Sequence, residues 1–375
     1  MVAAYYAAFD PALPVSAVDT ARLTDLIYAF AAIDAQDHCA LGEPGADVGG
    51  AVAGSTPGGN FGALEALEAR DPALETEISI GGWSGSDRFS AATSSAPRRA
   101  AFVRSCIDLF LRRWPGLFDG FDIDWEFPVA GGAATTPAHA ADRTDMTLLL
   151  AEFRRQLDAL GALTHRRYLL TIAAPGFGTA GGPGYTPQTS YDLASVARII
   201  DWFNLMTYDL TGPSAPVTDF ESPLYPTPAG STPAPPADAA TIDGAVRFYE
   251  AAGVPADQIV IGAPFYGHVF VGVHSANAGL FEHFRKLGAD PSYAQIVASD
   301  PPASEVHWSA AAQEPWIYDR RTYTFLSYDD PAAMSAKADY AVSHHLRGVM
   351  LWEVAMDDAS HSLLDALSGP VLASR

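Results

Sequence analysis

Short runs of apolar residues alternate with longer stretches of helical periodicity along most of the chain. The apolar runs predict eight strands, at 2–8, 26–33, 76–80, 118–127, 168–174, 202–207, 259–264 and 349–352. Apolar residues spaced three and four positions apart predict helices at 61–69, 98–113, 145–160, 242–252 and 331–344. Strands that alternate with helices pair in parallel, and several of these strands are apolar on both faces. We therefore predict an α/β protein, a (β/α)8 TIM barrel whose site lies at the C-terminal ends of the strands.

One interval is too long to be a simple loop of such a barrel. Residues 266–328 contain the segments HVFVGV, ASEVHWS and WIYDRRTYTFLSYDD, whose β-branched and aromatic residues predict further strands. We predict a small α+β insertion domain at 266–328, between barrel strands seven and eight, and a catalytic barrel formed by 1–265 and 329–375. Segments rich in Gly, Pro, Ala and Thr follow several strand ends and should rim the site; they are 42–60, 129–141, 176–190 and 210–240.

Composition describes a globular protein with an acidic surface. Of the 375 residues, 49% are hydrophobic, and no apolar run is long enough for a transmembrane helix. The 44 acidic and 22 basic residues give a net charge of −22, which makes nucleic acid or an anionic membrane an unfavourable partner. We expect a neutral or cationic substrate and a monomeric protein. Lysine occurs only at Lys286 and Lys337, which indicates either adaptation to high salt or an arginine-biased genome.

The cysteines and histidines carry little chemical signal. Cys39 and Cys106 could form one disulfide, but their spacing is uninformative. Cys106 shares a helical face with Phe102, Leu109 and Phe110, which predicts a buried free thiol without a catalytic role. The ten histidines form no HExxH or comparable pair, so the sequence predicts no metal site and no cofactor.

The stretch DGFDIDWEFP at 119–128 alternates carboxylates with large hydrophobic residues. On a strand, Asp122, Asp124 and Glu126 point to one face, and the apolar residues between them point to the other. Three carboxylates in one barrel interior repel each other, are costly to desolvate and titrate as a coupled group. A solvated strand at a sheet edge is one alternative, but such a strand would not need the flanking hydrophobic residues. A divalent-metal site is another alternative, but its further ligands are not apparent in the sequence. The pattern therefore favours acid/base chemistry.

DGFDIDWE resembles the DxxDxDxE signature of the family-18 glycoside hydrolases, the chitinases and their relatives. Other motifs follow in the order of that family. SIGGW at 79–83 is similar to its third-strand SxGG segment, and MTYDLTG at 206–212 is similar to its sixth-strand motif. YYAAF, LIYAFAAID, GAPFYG and GVMLWEVAMDD resemble strands one, two, seven and eight. The ordered set spans nearly the whole chain, so the resemblance implies the same barrel and a glycosidase activity.

The resemblance also implies catalytic roles for five residues. Glu126 would be the general acid that protonates the glycosidic oxygen. Asp124 would hold and charge-stabilise the 2-acetamido group of the substrate, and Asp122 would share a proton with Asp124. Tyr208 and Asp209 would hydrogen-bond the same acetamido group and its sugar.

A second set of residues is expected to bind the sugar or to support the acids. Trp352 would stack on the apolar face of the −1 sugar, with core packing as the alternative. Trp83 is either a subsite platform or packing at the barrel mouth. Tyr5 and Ser79 would sit behind Asp122 and take up its charge. His268 stands where many relatives carry arginine. The full set of expected substrate-site residues is Trp352, Met206, Trp83, Tyr266, Tyr5 and Ser79.

The function implied by the resemblance is a retaining chitinase acting on chitin or N-acetylglucosamine oligosaccharides. In this mechanism the substrate's acetamido oxygen attacks the anomeric carbon, so the enzyme supplies no nucleophile. An endo-β-N-acetylglucosaminidase and a non-catalytic chitin-binding lectin on the same fold are the alternatives. We expect an extracellular location. The opening segment VAAYYAAF lacks a basic leader, so it predicts a first strand and not a signal peptide.

Overall fold

The computed structural model describes residues 1–10, 12–49, 58–176, 186–211, 215–227, 240–302 and 305–374. Its strands are β1 (Val2–Ala7), β2 (Asp25–Ile33), β3 (Cys39–Leu41), β4 (Glu75–Gly81), β5 (Gly120–Asp124), β6 (Leu169–Pro175), β7 (Trp202–Met206), β8 (Ile259–Pro264), β9 (Gly267–Val271), β10 (Lys286–Leu287), β11 (Val306–Ser309), β12 (Glu314–Asp319), β13 (Thr324–Tyr328) and β14 (Gly348–Trp352). Its α-helices are α1 (Pro44–Val48), α2 (Gly59–Arg70), α3 (Phe89–Thr93), α4 (Ala96–Cys106), α5 (Asp142–Thr164), α6 (Pro187–Ser190), α7 (Leu193–Val196), α8 (Ile242–Ala251), α9 (Tyr293–Ala298), α10 (Pro331–Ser343) and α11 (Ser362–Ala373).

Eight parallel strands close into a barrel. Going round the barrel, the strands follow the order β1, β2, β4, β5, β6, β7, β8 and β14, and β14 pairs again with β1. All of these pairings are parallel. The predicted (β/α)8 TIM barrel is confirmed, and all eight predicted strands are present. The C-terminal ends of the strands meet on one face, where loops can build a site.

The helices cover the outer face of the barrel. The five predicted helices are present as α2, α4, α5, α8 and α10, and a π-helical segment, Ile107–Arg112, continues α4. The sequence analysis did not predict α11, which contains Gly369 and Pro370 near its end, two residues that disfavour a helix. Leu363, Leu364 and Leu367 are nonetheless fully buried in that helix, so tertiary packing outweighs the poor local propensity.

Strand β5 shows why its acids face inward. Its apolar side chains point outward into an aromatic layer beneath the helices. The Phe121 ring lies 5.3 Å from Phe153 of α5, and Trp125, just after the strand, stacks on Phe89 of α3 at 5.1 Å. Burying such rings is favourable, so the strand cannot turn over without exposing them. The alternate residues are thereby held in the barrel interior.

A second sheet lies between β8 and β14 in sequence. It has the antiparallel order β10-β9-β13-β12-β11, and α9 belongs to the same stretch. Its buried residues Phe270, Tyr318 and Phe325 pack with Phe220, which precedes α8. The strands predicted from HVFVGV, ASEVHWS and WIYDRRTYTFLSYDD are confirmed. The division into separate domains at 266–328 stays a prediction.

Cys39 and Cys106 form a disulfide, so the predicted free thiol is wrong. Their Cα atoms are 4.9 Å apart, within the range that a disulfide spans. Cys106 is buried on its helical face, as predicted, but that face of α4 packs against the short strand β3. The Cys39 N–H also donates to Ser105 Oγ at 2.9 Å. A separation of 67 residues along the chain carried no information about this contact.

Large parts of the predicted site-rimming loops lie outside the described residues, namely 50–57, 177–185, 212–214 and 228–239. The glycine that closes the MTYDLTG motif is among them. Within the described ranges, no helix combines the length and the apolar composition that a membrane span requires.

Candidate active site

Asp122 is the centre of a buried hydrogen-bond network inside the barrel. Its Oδ2 accepts from Tyr5 Oη at 2.9 Å and from Ser79 Oγ at 2.7 Å. Its Oδ1 accepts from Thr171 Oγ1 at 2.8 Å and from Asn204 Nδ2 at 3.3 Å. These donors come from β1, β4, β6 and β7. Burial raises the pKa of Asp122, and the hydrogen bonds to its charged form oppose that rise.

The network contains two residues that sequence analysis missed. Tyr5 and Ser79 were expected behind Asp122, and they lie there. Thr171 and Asn204 were not expected, although both are polar residues in otherwise apolar strands. That interruption is the signal that could have identified them, since a buried polar side chain on a barrel strand needs a partner.

Asp124 ends β5 and lines a cleft at the mouth of the barrel. Its side chain is nearly buried, and its Oδ1 accepts no hydrogen bond from any described residue. Burial, followed by the charges of Glu126 and Asp122, raises the pKa of Asp124 well above its ordinary value. A buried carboxylate oxygen without a donor is costly. The arrangement can therefore accept an N–H or O–H from a molecule bound in the cleft.

Glu126 lies two residues beyond the end of β5, so the predicted strand 118–127 is longer than the observed one. Its side chain is half-buried and lines the same cleft as Asp124. Its backbone N–H donates to Ser86 Oγ at 2.8 Å, and that hydroxyl lies 2.9 Å from the carbonyl oxygen of Gly82. Burial, with a further contribution from the charge of Asp209, raises the pKa of Glu126 to about 8. A carboxyl with that pKa holds its proton at neutral pH and can donate it.

The opposite wall of the cleft carries Tyr208 and Asp209, which follow β7. Asp209 has φ 53°, in the left-handed region, and its side chain is about half exposed to the cleft. Its Oδ1 accepts from Tyr266 Oη at 2.7 Å and lies 2.7 Å from His268 Nε2. Burial raises the pKa of the Tyr208 hydroxyl well above its ordinary value, so Tyr208 remains a hydrogen-bond donor.

The cleft encloses about 480 Å³ and is strongly aromatic. Trp352, half-buried at the end of β14, lies 5.5 Å from the Tyr5 ring and stacks on Phe30 at 5.8 Å. Trp83 is 49% exposed, so its indole is available to a ligand. Nine of the eleven expected site residues line this space, and the other two, Asp122 and Ser79, lie in the buried hydrogen-bond network behind it. The expected residues that line the cleft directly are Tyr5, Trp83, Asp124, Glu126, Met206, Tyr208, Asp209, Tyr266 and Trp352.

Two aromatic residues of the cleft were not expected. Phe9 is 56% exposed, and its ring stacks on Phe30 at 6.4 Å. Both flank the mouth of the cleft. An exposed phenylalanine directly after the first barrel strand was the available signal, since large exposed apolar side chains often mark binding surfaces.

Among the described residues, one group could hold a metal ion. Ligand atoms of Asp209, Glu221 and His268 all lie within 4.8 Å of one another. The sequence predicted no metal site, because these residues come from separate segments and form no local motif.

Comparison with known proteins gives consistent matches. The profile described as Glycosyl hydrolases family 18 matches residues 1–357. Chitinase A1 of Niallia circulans is 35% identical over 331 residues, covering 84% of this chain and 46% of that protein. Chitinase 1 of Aphanocladium album is 31% identical over 370 residues, covering 95% of this chain and 80% of that protein. The chain thus spans about half the length of the first relative.

Similarity extends to solved structures. The fold superposes on chitinase ChiA74 from Bacillus thuringiensis with a TM-score of 0.88 and 29% sequence identity. The superposition covers 99% of this chain and 69% of that chain.

Proposed function

The chain belongs to glycosyl hydrolase family 18, and we propose that it is a chitinase that hydrolyses β-1,4 linkages between N-acetylglucosamine residues. The relatives named chitinases support the substrate class. The acidic surface supports it too, because this substrate is neutral and is not repelled by a chain of net charge −22.

The observation that carries the proposal is the pairing of Asp124 with Glu126 in the cleft. Glu126 holds a proton at neutral pH, as a general acid requires. Asp124 presents a buried oxygen to which no described residue donates. An acetamido N–H of the substrate would satisfy that oxygen and would orient the amide. A ligand without an N–H or O–H donor would not do so.

The proposed reaction proceeds with retention of configuration. Glu126 donates its proton to the glycosidic oxygen, and the C–O bond breaks as the substrate's acetamido oxygen attacks the anomeric carbon. The resulting oxazolinium ion is stabilised by the charge that Asp124 carries when the proton it shares with Asp122 lies on Asp122. Glu126, now ionised, takes a proton from water. The water oxygen opens the ring from the face that the leaving group occupied, so the product is the β anomer.

The remaining residues of the cleft would hold the sugar. Trp352 offers its indole face to the apolar face of the −1 sugar. Met206 would pack beneath the same sugar. Tyr208 and Asp209 would hydrogen-bond the acetamido group and the sugar hydroxyls. Tyr266 orients Asp209 through the hydrogen bond at 2.7 Å. Trp83 would serve as a platform for a neighbouring sugar.

The proposal is tested by the products formed from partly acetylated chitosan. Because the acetamido group at −1 is the nucleophile, every new reducing end should be N-acetylated, and the first-formed anomer should be β. A thiazoline mimic of the oxazolinium ion should inhibit the wild type and should bind far more weakly to Asp124→Asn. Abundant glucosamine at new reducing ends, or an α product formed first, would overturn the mechanism.

Two further assays separate the alternative functions. Turnover of a chitotrioside with a fluorescent leaving group distinguishes an enzyme from a lectin, which would bind the sugar and release no fluorophore. Comparison of colloidal chitin with a high-mannose glycoprotein then distinguishes a chitinase from an endo-β-N-acetylglucosaminidase. Faster release from the glycoprotein would favour the second enzyme.

We also propose that the protein acts outside the cell as a monomer. The disulfide between Cys39 and Cys106 supports an oxidising compartment, since such bonds are rare in reducing cytosol. Fractionation of the producing cells and light scattering of the purified protein test the two statements.

A further inference from the structure

Three side chains from distant parts of the chain converge at the edge of the cleft. His268 Nε2, on β9, lies 2.7 Å from Asp209 Oδ1 and 3.9 Å from Glu221 Oε1. Asp209 follows β7, and Glu221 lies between β7 and α8. The Asp209 side chain is 54% exposed, whereas those of His268 and Glu221 are 14% and 0% exposed, so the group opens to the solution on its Asp209 side. The reaction proposed above gives no role to Glu221.

Glu221 has no adequate partner among the described residues. Its side chain is fully buried, and neither carboxylate oxygen accepts a hydrogen bond. Behind it lies a second buried acid, Glu314, whose Oε1 accepts the Glu221 backbone N–H at 3.1 Å. A buried carboxylate without a donor and beside another acid is strongly unfavourable. The space between Glu221 and His268 Nε2 is therefore suited to a cation.

His268 is oriented as metal-binding histidines usually are. Its Nδ1 lies 2.8 Å from Asp290 Oδ1 on the far side of the ring. In a neutral ring, a carboxylate beside Nδ1 holds the proton on that nitrogen and leaves the lone pair of the other nitrogen for a metal ion. That other nitrogen, Nε2, faces the oxygens of Asp209 and Glu221.

We propose that Asp209, Glu221 and His268 bind a divalent first-row transition-metal ion such as Zn²⁺. Three protein ligands leave a fourth position for water, and an imidazole favours Zn²⁺ over Mg²⁺ or Ca²⁺, which prefer oxygen ligands. Zinc-to-ligand distances near 2.0 Å place neighbouring ligand atoms roughly 3.3 Å apart. The separations from His268 Nε2, 2.7 Å to Asp209 Oδ1 and 3.9 Å to Glu221 Oε1, bracket that value, and all three ligand atoms lie within 4.8 Å of one another. The ion takes the place of the proton between Nε2 and Asp209 Oδ1, and that proton passes to solvent.

Metal binding has a consequence for the active site. Asp209 is also expected to hold the substrate, so an ion that engages its carboxylate should compete with the sugar. Zn²⁺ should therefore raise the KM for the chitotrioside. This consequence rests on the proposed function, whereas the binding of the ion does not.

The test is titration calorimetry of the full, chelator-treated chain with ZnCl₂ in the absence of substrate. We expect one Zn²⁺ per chain, and binding at least tenfold weaker in Glu221→Gln. Asp290→Asn should weaken binding by about 10–100-fold through loss of ring orientation. His274→Gln is the matched control, because His274 is exposed and lies 3.9 Å from Glu282, and the described residues add no third ligand to this pair. The Zn²⁺ affinity of the His274→Gln variant should equal that of the wild type.

Equal affinity in the wild type and all variants would assign the ion to scattered surface groups and overturn the site. Absence of Zn²⁺ uptake by the wild type would also overturn it, leaving a protonated His268 balanced by its carboxylate neighbours. Asp290 is mostly exposed, so its variant keeps the test valid if Glu221→Gln does not fold. Zn²⁺ uptake without a change in KM would overturn the competition alone. Uptake by a protein that cleaves no chitin substrate would overturn the proposed function alone.

Discussion

At the level of single residues, Glu126 is the side chain on which the proposed chemistry depends most. Glu126→Gln keeps the shape and the Ser86 contact of the backbone but cannot donate a proton. We expect kcat to fall by roughly 10²–10⁴ while oligosaccharide affinity is retained, because only proton transfer is lost. Steady-state kinetics and calorimetry with chitohexaose measure the two quantities. Near-normal turnover in this variant would remove Glu126 from the acid role.

The pKa of Glu126 sets the alkaline side of the activity profile. The acid must be protonated, and its pKa is raised to about 8 by burial and by Asp209. We expect kcat/KM to hold through neutral pH and to fall as pH rises through about 8, since this ratio reports groups of the free enzyme. Asp209→Asn removes the neighbouring charge that helps burial to raise this pKa, so the alkaline decline of the residual activity should begin at a lower pH than in the wild type. A profile unchanged by Asp209→Asn would contradict this coupling.

Glu77 is a buried acid below Asp122 whose effect should appear in stability. Its Oε1 lies 3.2 Å from the Thr171 hydroxyl that also bonds Asp122. Burial and the charges of Asp122 and Asp25 raise the pKa of Glu77 well above its ordinary value. The folded state then binds a proton that the unfolded chain loses near its ordinary pKa, so stability falls as pH rises above that value.

Replacing Glu77 by glutamine should remove this loss of stability with rising pH. We expect the Tm of Glu77→Gln to decline less than that of the wild type between pH 5 and pH 8. Glu65→Gln, at an exposed position of α2, is the control and should follow the wild type. Parallel curves for all three proteins would show that Glu77 carries no such proton.

At the level of elements, the disulfide joins β3 to the end of α4. It closes a loop of 67 residues, which lowers the entropy of the unfolded chain. The double variant Cys39→Ala/Cys106→Ala should lose about 2–5 kcal/mol of unfolding free energy. Urea unfolding measures this loss. The urea midpoint of wild-type protein treated with a strong reductant should approach that of the double variant. A double variant with the same urea midpoint as the untreated wild type would mean that the disulfide adds nothing to stability.

At the level of the whole molecule, the net charge of −22 should make stability depend on salt. Like charges on a compact surface repel each other, and the screening length falls from about 10 Å at 0.1 M salt to about 3 Å at 1 M. We therefore expect Tm and activity to be maintained or to rise between 0.1 and 1 M NaCl. Sucrose at matched water activity is the uncharged control. A stability maximum at low ionic strength would instead attribute the scarcity of lysine to genome composition.

Much of the barrel and its acids could be predicted without coordinates. Helical and strand periodicities are local, so a buried element leaves its pattern in consecutive residues. The alternation in DGFDIDWE was sufficient to turn Asp122 and Asp124 inward, because Phe121 and Ile123 had to be covered. The resemblance to family 18 then identified the other walls of the cleft through ordered motifs.

Contacts between distant segments could not be predicted in this way. Asn204 reaches Asp122 across 82 residues, and the disulfide spans 67. The meeting of Glu221 with His268 likewise depends on how the second sheet packs beside the barrel. Such pairs produce no periodic pattern in the sequence, because barrel closure and side-chain packing determine which residues come into contact. Local pattern thus specifies which residues are buried, and three-dimensional packing specifies what each buried polar group contacts.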